Sequence, residues 1–122
     1  MLHGAWAGAT PPGSTVAAVY MTIKSRQADT LISASSPAAR KVEMHTSMAH
    51  DGTMMMHPLE KVELSAGEPF VFHPGGPHFM MIDLNAPLEA GTSFPLTLSF
   101  RRAGERTIEV QVLPPGAAPP AH

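Results

Sequence analysis

Apolar residues recur at alternate positions along most of this chain. Val19, Met21 and Ile23 share one side of the run from Val16 to Ile23. Phe94, Leu96, Leu98 and Phe100 share one side of a later run, with Ser93, Pro95, Thr97 and Ser99 on the other. A period of two is that of a β-strand with one buried face. Ala103-Gly104-Glu105 then turns the chain, and Ile108, Val110 and Val112 return it as a C-terminal hairpin. Shorter strands are predicted at Thr30 to Ser33, Lys41 to His45, Thr53 to His57, Val62 to Leu64 and Phe70 to Phe72. Within Lys41 to His45, Val42 and Met44 oppose Lys41, Glu43 and His45. Asp51-Gly52 is a hairpin turn signal, and Thr53 to His57 is expected to end at Pro58. Pro74-Gly75-Gly76-Pro77 is a loop that leads straight into a strand at His78. No segment holds a helical period over three turns. About eight strands with frequent turns predict an all-β fold, a two-sheet sandwich or Greek-key barrel.

The 122 residues suffice for one domain with a real core. We place that domain at positions 1–113 and a flexible Pro/Ala/Gly-rich tail at 114–122. Charged residues are only 15% of the chain and the net charge is −2, which gives no electrostatic case for nucleic acid or anionic lipid. No apolar run approaches the roughly 20 residues of a membrane helix, so the chain is not expected to span a membrane. Met1-Leu2-His3-Gly4 does not begin a signal peptide, as expected of a mature exported chain or of a cytosolic one. There is no placed acid/base pair, no nucleophile with a base and no phosphate loop, so we assign no catalytic role.

Cysteine is absent, while histidine reaches seven and methionine nine. That excludes thiolate metal sites and disulfides, and leaves imidazole and thioether as the soft donors. Most of them lie between positions 44 and 81. Four stand out: His45, Met56, His78 and Met80, separated by ten, twenty-one and one residues. Thioether sulfur is soft and uncharged, so a set of imidazoles and thioethers points to copper, above all Cu(I). His78 and Met80 would share one face of a strand, about 6.8 Å apart along it, with Phe79 and Met81 facing a core. Met21, Met44 and Met81 read as core filler. His3, His50, His57, His73 and His122 read as ordinary surface residues. Whether Met48, Met54 or the extra histidines form a second copper site is left open. The four candidate ligands are expected to be exposed rim residues. A blue-copper electron carrier would need a cysteine ligand, which this chain lacks.

The spacing of His45, Met56, His78 and Met80 resembles the signature of the periplasmic copper chaperones associated with the CuA centre of cytochrome c oxidase, the PCuAC family. The context is similar too. Ala5-Trp6 with Ala9-Thr10-Pro11-Pro12-Gly13 resembles the family's opening, and Val42-Glu43-Met44-His45 its lead-in to the first ligand. Asp51-Gly52 with Met54, Met56 and Pro58 resembles its second-ligand hairpin. Pro74-Gly75-Gly76 with His78, Met80 and Met81 resembles its last ligand segment, and Pro95-Leu96-Thr97-Leu98 with Phe100 its closing hairpin. The match covers about positions 5 to 113. The chain departs from the family at Met55 and His57, where a basic residue is common. The resemblance implies a cupredoxin-like Greek-key β-sandwich in an exported, periplasmic protein. It also implies that the four residues bind one Cu(I) for delivery to the CuA subunit, or to another copper chaperone. The alternative is a copper-sequestering or resistance protein without a dedicated acceptor.

Overall fold

The computed structural model describes residues 2–11, 13–50, 52–74 and 76–114, with the side chains at 3, 47–50 and 53–56 outside that description. The tail expected at 114–122 lies outside the described residues, save Pro114.

Ten strands make up the described fold: β1 (Leu2–Gly8), β2 (Val16–Lys24), β3 (Asp29–Ser35), β4 (Ala39–His50), β5 (Thr53–Leu59), β6 (Val62–Leu64), β7 (Pro69–Phe72), β8 (His78–Leu84), β9 (Ser93–Phe100) and β10 (Gly104–Leu113). The sheet runs β5-β4-β8-β2-β1-β10-β9-β3-β6, and a further β3–β4 pairing closes it into a barrel. The closing contact sets Ala34 opposite Val42. Seven strands form the closed circuit, with β5, β6 and β7 attached to β4, β3 and β2. The all-β, cupredoxin-like expectation holds. The count exceeds the eight or so expected mainly because β1 carries little apolar signal.

The alternation read from the sequence is the alternation of burial. Leu96, Leu98, Val19, Ile23, Phe79, Met81 and Val110 are fully buried in the barrel interior. Phe72 stacks on Phe79 with ring centroids 4.3 Å apart. Met21, Met44 and Met81 are core residues, as expected. Ala5 and Ala7 of β1 are buried too, with β2 and β10 paired to that strand on either side.

Two strands outrun their predicted limits. β4 continues past His45 to His50, and β5 runs through Pro58 to Leu59. Proline lacks an N–H and breaks a central strand, but β5 is an edge strand paired only with β4, where the missing donor is tolerated. In the turn between them Gly52 has φ +80°, a left-handed conformation that glycine adopts without steric cost. Asp51 of that turn lies outside the described residues.

Candidate metal centre

The site grows from one register. In the antiparallel β4–β8 pair, His45 lies directly opposite His78 and Glu43 opposite Met80. Their rings meet edge to face with centroids 6.0 Å apart. Their neighbours Met44 and Phe79 face inward and are buried, so both histidines stand on the outer wall of the barrel. Met80 follows His78 on the same face and is half-buried. In the β4–β5 pair, Pro58 opposes His45 and Met56 opposes Ser47. The backbone position of Met56 is thus diagonal to His45, a spacing of about 7–8 Å in such a ladder. Its side chain lies outside the described residues. The strands therefore bring His45 and His78 together and set Met80 and position 56 on the two flanks of that pair.

The exposure expected of these residues needs correction. His78 is 5% exposed, and His45 and Met80 are half-buried. The loop before β8 is tied by its own backbone hydrogen bonds. The His73 N–H donates to the Pro77 carbonyl at 2.9 Å and the Gly76 N–H to the His73 carbonyl at 3.0 Å. A Cβ at Gly76 would come within 2.5 Å of the His73 ring, so only glycine fits under that ring as it stands.

Hydrogen bonds assign the tautomers. His78 Nδ1 lies 2.9 Å from the Gly76 carbonyl oxygen. A carbonyl only accepts, so Nδ1 carries the hydrogen and the neutral ring keeps its lone pair on Nε2. His45 Nε2 lies 3.0 Å from Glu43 Oε1. The carboxylate accepts there, so His45 keeps its lone pair on Nδ1, an atom that is buried and without a hydrogen-bond partner. Buried polar atoms are rarely left so, and an imidazole lone pair without a donor is suited to a metal ion. Lys41 Nζ sits 2.6 Å from Glu43 Oε2. The contacts from Lys41 and then His45 hold the Glu43 carboxyl below the usual range.

Glu43 is a neighbour of the His45–His78 pair that sequence reasoning passed over. Its signal was present: it shares the polar face of β4 with His45, two residues away. His57 and His73 are exposed; the His73 Nδ1–H donates to the Pro74 carbonyl at 3.0 Å. Among the described residues, no three His, Asp or Glu side chains form a group that could hold a metal. Among the described residues, Met80 is the further soft donor on the face of the His45–His78 pair.

Solved structures share this barrel. The "Copper-bound PCuAC domain from PmoF2" matches with TM-score 0.77 and 27% identity, over 93% of this chain and 92% of that one. The "Solution structure of CuI-DR1885 from Deinococcus Radiodurans" matches with TM-score 0.66 and 27% identity, over 90% and 75%. Barrel and likeness together define a PCuAC-type domain. The chain belongs to the LpqE-like family, described as "Putative lipoprotein LpqE-like", whose model matches residues 1–112. A relative from Leifsonia xyli subsp. xyli (strain CTCB07), "Putative lipoprotein Lxx21020", is 31% identical over 111 residues. The match takes in 88% of this chain and 66% of that relative's length.

Proposed function

We propose that this protein carries one Cu(I) ion on His45, Met56, His78 and Met80 and hands it to a copper acceptor, first of all the CuA centre of cytochrome c oxidase. The His45–His78 pair carries the reading. It offers two imidazole lone pairs, Nδ1 of one ring and Nε2 of the other, with each opposite nitrogen already anchored. Anchored imidazoles of fixed tautomer are the usual form of histidine metal ligands. The remaining donors are thioethers, from Met80 on the strand of His78 and Met56 on the strand beside His45. Two neutral imidazoles and two neutral thioethers favour Cu(I) over harder ions. The copper in the PmoF2 domain and the Cu(I) in DR1885 support the same cargo here.

The ligand set also suits transfer. Neutral donors leave bound Cu(I) cationic and exchangeable, whereas thiolates bind it harder and oxidise outside the cytoplasm. The lipoprotein descriptions of the family and of the Leifsonia relative support an exported protein, and we place it in the periplasm or its equivalent at the cell surface. Among the described residues no helix is long and apolar enough to cross a membrane. The test is to load the protein with Cu(I), mix it with a reduced apo CuA domain, and assay copper after separation. Transfer supports delivery. Copper that stays behind, although the acceptor binds free Cu(I), favours sequestration.

A further inference from the structure

A second site lies where β2 ends, β3 begins and β9 turns into β10. Lys24, Ser25, Arg26, Gln27, Asp29 and Arg102 line a surface cleft of about 760 Å³. Three cations face one carboxylate there, in a chain whose net charge is −2. The ion pairs among the described residues engage Arg40, Lys41, His45 and Lys61, and none engages Lys24, Arg26 or Arg102. Asp29 feels the Arg102 charge, but among the described residues it forms no ion pair with the three cations. Its oxygens accept the backbone N–H groups of Thr30 at 2.7 Å, Arg102 at 2.9 Å and Ala103 at 3.0 Å.

The walls are fixed by backbone contacts. Asp29 ties the β9–β10 turn to the start of β3, and the Arg101 N–H donates to the Thr30 carbonyl at 2.9 Å. On the other side the Gly67 N–H holds the Ser25 carbonyl at 2.7 Å. The backbone thus fixes where the three cationic side chains leave the rim of the cleft, while the side chains themselves are exposed. The ladder also fixes where the cleft sits. β2 pairs with β8 through Val19 and Phe79 and then runs on to Lys24. The cleft is therefore at the barrel end where β8 starts, which is the end of His45 and His78.

We propose that this cleft docks an acidic segment of a protein partner, with Lys24, Arg26 and Arg102 pairing to its carboxylates. Guanidinium forks match carboxylate geometry, and a cleft of about 760 Å³ has room for more than one small anion. A bilayer surface is flat and does not enter a cleft. The exposed large hydrophobics that would anchor one, Val16, Ile32 and Val71, are not among the lining residues. A partner seated here would lie at the same barrel end as the copper ligands proposed above, although the docking does not depend on them.

The experiment is amide chemical-shift mapping of the full chain with a short oligo-glutamate peptide, inorganic phosphate and phosphatidylglycerol vesicles as separate probes. The peptide should shift residues 24–27, 67 and 101–103 saturably. Arg26→Glu with Arg102→Glu should weaken it about tenfold or more, and added salt should weaken it in the parent. Arg40→Glu, at the far end of β4, should leave it unchanged. No saturable shift, phosphate reproducing the effect at equal affinity, or binding confined to vesicles would each overturn the proposal. The same double variant should take up Cu(I) like the parent, since neither arginine is a proposed ligand, so that loss of docking is read apart from the copper site.

Discussion

Glu43 Oε1 lies 3.0 Å from His45 Nε2, and this contact selects which nitrogen of His45 is free for a metal. The carboxylate would also offset part of the charge of the cationic copper site proposed on the same face. Glu43→Leu removes both effects, and loss of such an outer partner usually costs 10–100-fold in metal affinity. We expect a drop of about that size for Glu43→Leu, and a smaller one for Glu43→Gln, which retains an acceptor without the charge. Competition against a chromogenic Cu(I) chelator measures both. Equal affinities in the parent and Glu43→Leu would remove Glu43 from the site.

Asp29 is expected to contribute to acid stability. Burial alone would raise its carboxyl, but the N–H groups of Arg102, Thr30 and Ala103, with the Arg102 charge, outweigh it and hold the group below its ordinary value. The unfolded chain, with Asp near 3.9, then binds more protons than the folded one in the interval below that value. The stabilisation is full above about pH 3.9 and is lost as pH falls through the lower folded value. Urea midpoints against pH should show this loss in the parent and its absence in Asp29→Asn. Asp29→Ala strands the three backbone donors and should cost about 2–3 kcal/mol at neutral pH.

Phe79 and Met80 are neighbours with opposite duties. Phe79 is 0% exposed and stacks on Phe72, so Phe79→Ala should cost about 3–5 kcal/mol. Met80 stands on the outer face, and Met80→Leu keeps its volume and should cost under about 1.5 kcal/mol. It should nevertheless weaken Cu(I) binding. Chemical denaturation and Cu(I) competition on the two variants separate the roles. A Met80→Leu variant that binds Cu(I) like the parent would take Met80 out of the ligand set.

The period-two pattern made β2, β9, β10 and the inner faces of β4 and β8 legible, because large apolar side chains mark those faces unambiguously. β1 was not legible. Gly4, Ala5, Ala7 and Gly8 bear too little side chain to signal a strand, and its pairing with β10 joins opposite ends of the chain. The reach of β5 through Pro58 was hidden for a different reason: only the sheet order reveals that β5 is an edge. At the site, sequence spacing singled out His45, Met56, His78 and Met80, and strand parity gave Met80 the face of His78. The pairing of His45 with His78 depends on the register of two strands separated by β5, β6 and β7, which local pattern does not encode. The burial of His78, an outward-facing position that is only 5% exposed, was also hidden, because alternation marks inner and outer faces and not what covers them.

The ligand assignment is tested most directly by X-ray absorption at the copper edge on the Cu(I)-loaded protein, with the parent and Met56→Leu compared. The expected result is one Cu(I) per chain with two imidazole nitrogens and two thioether sulfurs in the parent, and one sulfur fewer in the variant. A shell of nitrogen and oxygen only, or an unchanged sulfur count in Met56→Leu, would contradict it.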